Sequence, residues 1–282
     1  CTLREDLLLE VKRLAEEGRF DQLVIESTGI SEPLPVAETF TFADDQGNSL
    51  SDIARLDTMV TVVDGVNFLH DYTTALTLRE RGETAGEEDS RSVVDLLTEQ
   101  IEFCDVLLLN KTDLIDQPQL FQLEGILKGL NPRARIIKSS FGKVDLSLIL
   151  NTGLFDFDAA ANAPGWLQEM RGEHTPETEE YGISSFVFRA RKPFHPQRFF
   201  RVMEGQLHKV VRSKGYFWLA SQPETAGIWS QAGGVSHFEM AGRWWVNVPE
   251  EQWPDDPESL QYIMRYWLDD IGDSRQELVF IG

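Results

Sequence analysis

Positive charge is scarce in this sequence: 26 lysines and arginines stand against 47 aspartates and glutamates, for a formal net charge of −21. Such a surface repels phosphate backbones and anionic headgroups, which argues against nucleic acid or a membrane as a partner. Cysteine is scarcer still. Cys1 and Cys104 provide no disulfide framework, so a reducing, cytoplasmic compartment is expected. No apolar run approaches the roughly 20 residues that a membrane span needs. No signal peptide is visible, and the chain starts at Cys rather than Met, so the native N-terminus is expected upstream. The five histidines (His70, His174, His195, His208 and His237) are scattered, which gives a metal-storage tract no support. Internal repeats and coiled-coil heptads are also missing.

What is present is a chain of 282 residues, 41% of them hydrophobic, enough for one large domain or two ordinary ones. Thr2-Leu3-Arg4-Glu5 reads as a capping box, and Leu3, Leu7, Val11 and Leu14 follow at helical spacing. Gln22 to Glu26 reads as a buried strand leading into Ser-Thr-Gly. Met59 to Val63 is a second strand, ending in Asp64-Gly65. A helix over Ser92 to Phe103 leads into a strand, Val106 to Leu109, and a helix near Gln119–Leu130 leads into another, Ala134 to Lys138. Helices alternating with continuous apolar strands predict a parallel sheet covered on both faces. In such a sheet the carboxyl edge of the strands is where ligands bind, and each of these strands ends there in polar residues.

Residues 80–91 are acidic and read as a mobile surface loop. Residues 156–181 read as a linker. Beyond Gly182 the texture changes to strands at Ile183–Ala190, Gly215–Ala220, Val235–Met240, Arg243–Val248 and Glu277–Ile281. Helices fall at Pro196–Leu207 and Leu260–Leu268. Six of the seven tryptophans lie between Trp218 and Trp267, which predicts an aromatic core. The expected organisation is an α/β parallel-sheet domain over 1–155, a linker over 156–181 and a smaller α+β domain over 182–282.

The chemistry concentrates at Asn110-Lys111-Thr112-Asp113. Guanine offers two adjacent donors, the ring N–H and the exocyclic amine, and one carboxylate can accept both. Asp113 suits that role. Asn110 can donate to the opposite edge of the base or brace the loop, and the Lys111 stem can lie over its flat face. Adenine presents the wrong edge to Asp113. Glu26 at a strand end can hold Mg²⁺ through water, and is a candidate for magnesium handling in catalysis rather than for base chemistry. Gly29 lets backbone approach a γ-phosphate. Backbone N–H groups at Ser139 and Ser140 can meet the base carbonyl, although a plain turn explains that stretch nearly as well. Asp64 reads as a strand-end Asp-Gly turn. One part is lacking: no G-x-x-x-x-G-K-S/T run occurs among the 282 residues, and Gly233-Gly234 does not supply one.

CTLREDL, ESTGISEP, LDTMVTVVDG, EQIEFCDVLLLNKTDL, RSKGYFWLA, WSQAGG and RQELVFIG together resemble CobW-type GTPases, and within them the branch associated with zinc supply. The resemblance covers nearly the whole chain. It implies a P-loop GTPase domain, here truncated before its P-loop, followed by the CobW C-terminal domain. It further implies GTP and Mg²⁺ as ligands, Zn²⁺ or Co²⁺ as cargo, and a metal-requiring client protein as partner. Cys1 matches the last cysteine of the family's Cys-x-Cys-Cys metal motif. By the same resemblance, the P-loop and the other cysteines lie before residue 1, and a helix follows Ile281. In the second domain, Arg212, Lys214, Tyr216, Phe217 and Trp218 read either as a client-binding face or as a core strand with a basic rim. The alternative to a GTPase is a client-binding module that does not hydrolyse nucleotide.

Overall fold

The computed structural model describes residues 2–27, 32–41, 50–73, 92–171, 182–205, 207 and 209–282. It divides into two compact units, Cys1–Leu167 and Gln168–Gly282. In chain order the first part holds α1 (Thr2–Glu16), α2 (Pro33–Thr41), β1 (Val60–Asp64), α3 (Phe68–Thr73), α4 (Val93–Phe103), β2 (Val106–Asn110), α5 (Gln117–Leu130), β3 (Arg135–Lys138) and α6 (Phe157–Ala161), and α7 (Gly165–Arg171) spans the boundary in sequence. The second holds β4 (Ser185–Ala190), α8 (Pro196–Gly205), β5 (Arg212–Leu219), β6 (Gln222–Ala232), β7 (Val235–Arg243), α9 (Pro257–Arg265) and β8 (Gln276–Ile281).

The first sheet is parallel in the order β1-β2-β3, with Val62 opposite Leu108 and Leu108 opposite Ile137. Val106 to Leu109 are buried, as expected for a central strand covered on both faces. Both flanking helices start at capping boxes. Ser92 Oγ accepts from Asp95 N, and Asp116 Oδ1 accepts from Gln119 N. Asn131, fully buried, joins three elements. Its amide donates to the carbonyls of Ile101 and Cys104, each at 2.9 Å, and its Oδ1 accepts from Arg133 N and Ala134 N. The end of α4, the start of β2 and the start of β3 thus share one side chain.

Two expectations need correction here. Gln22 to Glu26 is not a buried strand: the segment is irregular, and Leu23, Val24 and Ile25 are exposed. An apolar run becomes a strand only where a neighbour supplies its hydrogen bonds, and no strand described lies beside it. Residues 157–171, read as linker, contain α6 and α7 instead. The Asp156 carboxylate caps α6, and Ala160 packs with Phe103 and Ala37. The capping-box side chains of α1 and the acidic loop at 80–91 lie outside the described residues, apart from the backbone of α1.

The second unit is an antiparallel sheet in the order β4-β8-β5-β6-β7. Phe199 and Met203 of α8 pack on Phe217, Leu219, Trp229 and Leu278. Trp218, Ala226 and Trp244 form another buried cluster, with Tyr216 and Ile271 against it. The long strand β6 carries no clear signal, because Pro223 and Gly227 interrupt its pattern. Gly227 is required by packing: a Cβ there would lie 2.2 Å from Phe217 Cζ. The strand expected at Arg243–Val248 is instead the end of β7 followed by a 3-10 turn at Trp245–Asn247. Arg212, Phe217 and Trp218 are buried, so the reading of that strand as a client-binding face gives way to the core reading.

Candidate functional site

Asn110 ends β2 and Asp64 ends β1, opposite one another in the parallel register. Beyond Asn110 the chain turns sharply. Lys111 adopts a left-handed conformation (φ 62°, ψ 30°), and Thr112–Leu114 form a 3-10 turn before α5. A left-handed lysine is strained, and local bonds hold it. Leu114 N donates to Lys111 O, while Thr112 N and Oγ1 both donate to Ser139 O.

The Lys111 ammonium lies 2.8 Å from Asp64 Oδ2. The same carboxylate accepts from Val66 N, Asn67 N and Asn67 Nδ2, so it caps the β1–α3 turn and anchors the lysine together. Partial burial pushes the Asp64 carboxyl up. The Lys111 and turn hydrogen bonds outweigh that and hold it below its ordinary range. Gly65 completes the contact. Its N–H donates to Asn110 O at 3.0 Å, and a Cβ there would sit 2.9 Å from that oxygen.

Asn110 Oδ1 accepts from Gly142 N at 3.0 Å. The bracing role is thereby realised, and its amide NH₂ has no protein acceptor among the described residues. Ser139 is fully engaged: its N–H bonds Leu109 O, its hydroxyl bonds Lys143 O, and it is buried. The backbone donors left over in this loop belong to Ser140 and Phe141, Phe141 being 85% exposed. Asp113 is exposed, and its carboxylate pairs with no described side chain. Asn110, Lys111, Asp113, Ser139 and Ser140 therefore share one edge, with a carboxylate, an amide NH₂ and backbone donors around it that are unpaired among the described residues. Asp64 is the partner that sequence reasoning undervalued. The signal was its place one strand over, at the same strand end.

Glu26 is exposed on the irregular stretch after α1, and Gly29 and Cys1 lie outside the described residues. Among the described residues no group of three or more His, Cys, Asp or Glu is arranged to hold a metal ion. Cys104 is not a candidate ligand. Burial pushes its thiol up to about 12, and Sγ donates to Ile101 O. No described helix is long and apolar enough to cross a membrane.

Residues 1–138 match the family described as CobW/HypB/UreG, nucleotide-binding domain. Residues 183–282 match the cobalamin synthesis protein cobW C-terminal domain. The chain is 48% identical over 286 residues to zinc-regulated GTPase metalloprotein activator 1 of Dictyostelium discoideum, covering 100% of this chain and 60% of that protein. It is 27% identical over 232 residues to zinc chaperone CobW of Sinorhizobium sp, covering 79% of this chain and 63% of that protein. The chain thus spans about 60% of the length of these curated relatives. Among solved structures, the Zn(II)-bound YjiA GTPase from E. coli matches with a TM-score of 0.41 at 22% identity, over 99% of this chain and 72% of that one.

Proposed function

The chain belongs to the CobW family, and on that premise we propose that it serves a cytoplasmic, GTP-binding and GTP-hydrolysing metallochaperone that delivers a metal ion to client proteins. Zinc is the foremost cargo and cobalt the second. The observation that carries this reading is the division of labour at Asn110, Lys111 and Asp113. Two of these side chains are held by the protein, and the third presents a bare carboxylate at the end of the central parallel strand. In this reading Asp113 accepts from the guanine ring N–H and exocyclic amine. The Asn110 NH₂ donates to the base, the Lys111 stem covers its face, and the backbone of the Ser139–Ser140 stretch offers N–H groups to its carbonyl. The engaged state of Ser139 narrows that last role to Ser140 and Phe141.

Glu26 is proposed as the magnesium-handling group and Gly29 as the close approach to the γ-phosphate. Cys1 is proposed as one thiolate of the cargo site, because thiolates suit zinc. The described residues around Glu26 do not by themselves complete an Mg²⁺ site, so no catalytic step is assigned to it. Hydrolysis also needs a phosphate cradle, and these 282 residues contain no G-x-x-x-x-G-K-S/T run. The names of the relatives, a zinc-regulated GTPase metalloprotein activator and a zinc chaperone, support the metal cargo.

The test is titration of the intact protein with fluorescent GDP and ADP, followed by GTP turnover with and without zinc. Guanine selectivity and a zinc-dependent change in turnover are expected. Equal affinity for ADP would overturn the base assignment. Absence of any nucleotide affinity would favour the non-hydrolysing client-binding module.

A further inference from the structure

A cleft of about 500 Å³ opens on the second unit, lined by residues that include Trp245, Gln252, Pro254, Glu258, Tyr262 and Ile263. Two 3-10 turns, Trp245–Asn247 and Glu250–Gln252, form one side, and α9 forms the other. The walls are rigid. Trp245 meets Trp253 edge to face, Trp253 tilts against Trp267, and the Trp253 indole N–H donates to Val248 O. Asp256 caps α9 by accepting from Ser259 N at 2.8 Å. Ile263, buried, closes the floor, while Tyr262 remains 50% exposed and stacks edge to face on Tyr266.

The cleft carries donors on Trp245, Tyr262 and Gln252 beside the acceptor carboxylate of Glu258. Among the described residues none accepts from the Trp245 indole N–H, the Tyr262 hydroxyl or the Gln252 side-chain amide. A groove of flat aromatic faces with unpaired donors fits an extended polyproline segment. Such a segment exposes carbonyls with no internal hydrogen bonds, and proline has no N–H to satisfy. The rim is acidic: Glu250, Glu251, Asp255 and Glu258 are all exposed within nine residues. A peptide lying here would be attracted through basic side chains and repelled through acidic ones.

We propose that this cleft docks a basic, proline-containing segment of a partner protein in the polyproline conformation. Trp245 and Tyr262 grip the proline rings, and Glu258 with its acidic neighbours reads the positive charge. The site lies wholly in the second unit and stands whether or not the first unit binds guanine nucleotide.

The experiment titrates the intact protein with a fluorescent peptide of repeated Lys-Pro-Pro units, against Glu-Pro-Pro and Lys-Gly-Gly peptides of equal length. Saturable binding of Lys-Pro-Pro is expected, with both controls weaker by about tenfold or more. Tyr262→Ala should weaken binding by about tenfold, as loss of an aromatic anchor does. Glu258→Lys should weaken it several-fold and flatten its salt dependence. Both positions are exposed, so the fold is retained, and thermal unfolding of each variant checks this. Nucleotide affinity, measured on the same variants, should not change. The proposal is overturned if Lys-Pro-Pro does not saturate, if Lys-Gly-Gly binds equally well, or if neither substitution weakens binding. A concentration-dependent dimer abolished by Tyr262→Ala would also overturn it, since a second copy would then cover the cleft.

Discussion

Asp113→Asn separates base reading from folding, because the carboxylate is exposed and has no described protein partner. Removing its charge should leave the unfolding midpoint within experimental error, a change of about 0.5 kcal/mol or less. Binding should respond strongly. Two hydrogen bonds from guanine to one carboxylate are each worth about 1.5–3 kcal/mol. The asparagine keeps one acceptor and turns a donor toward a donor, so a loss of about 3–4 kcal/mol is expected, roughly 10²–10³-fold in Kd. Xanthine carries a carbonyl in place of the exocyclic amine and accepts from the new NH₂, so the variant should bind xanthosine diphosphate better than GDP. The assay is a fluorescent-nucleotide titration of the intact protein with GDP and xanthosine diphosphate, beside urea unfolding. GDP affinity within threefold of wild type, at unchanged stability, would refute the assignment of Asp113.

Four further outcomes follow from the structure. Asp64→Asn removes the charge that holds Lys111 and should weaken guanine nucleotide binding by about three- to tenfold; an unchanged Kd would show that the ion pair does not position the reader. Because the folded Asp64 pKa is depressed, its contribution to stability is present above the unfolded carboxylate range and is lost as pH falls through the folded value. The wild type should therefore lose its stability advantage over this variant only on acidification below about pH 4, read from urea midpoints. Asn131→Ala leaves the carbonyls of Ile101 and Cys104 and the N–H groups of Arg133 and Ala134 without this partner in a buried site, and should cost about 3 kcal/mol in urea unfolding. The Cys104 thiol, pushed up to about 12 by burial, should resist iodoacetamide in the folded protein and react on unfolding, as mass spectrometry would show.

The parallel sheet was legible because its strands are continuous apolar runs. Val106 to Leu109, short and bounded by polar residues, reads as a strand covered on both sides, and the structure buries all four. The proposed base-reading edge was legible because its four residues are consecutive. Asp64 was harder to place. Its distance from Lys111 depends on strand register, which a single sequence does not display, and an Asp-Gly pair at a strand end already has a sufficient local explanation. Asn131 was hidden for the same reason: an asparagine after a helix looks like an ordinary cap, and only tertiary structure delivers the carbonyls it bonds. β6 escaped because proline, glycine and alanine replace the β-branched residues that mark strands, and cross-strand packing overrides those local preferences. The stretch at Gln22–Glu26 failed in the opposite direction. Its composition is that of a strand, but a strand also needs a neighbour.

The two ends of a nucleotide make different demands on a protein, and the proposed role of this edge concerns only the base. At the proposed base end the groups are held by the protein itself. Lys111 is fixed in backbone by its left-handed turn and in side chain by Asp64, and Asn110 is fixed by Gly142. A reader already ordered loses little freedom on binding, so its hydrogen bonds go into discrimination rather than into ordering loops. Phosphates instead require a cluster of backbone donors at a helix N-terminus. The described residues around Glu26 present exposed apolar side chains and no such cluster. If the proposed assignment holds, selectivity for guanine and affinity for the nucleotide are separable properties. On the proposed reading, Asn110, Lys111 and Asp113 would set the choice of base, and the phosphates would be gripped by other residues.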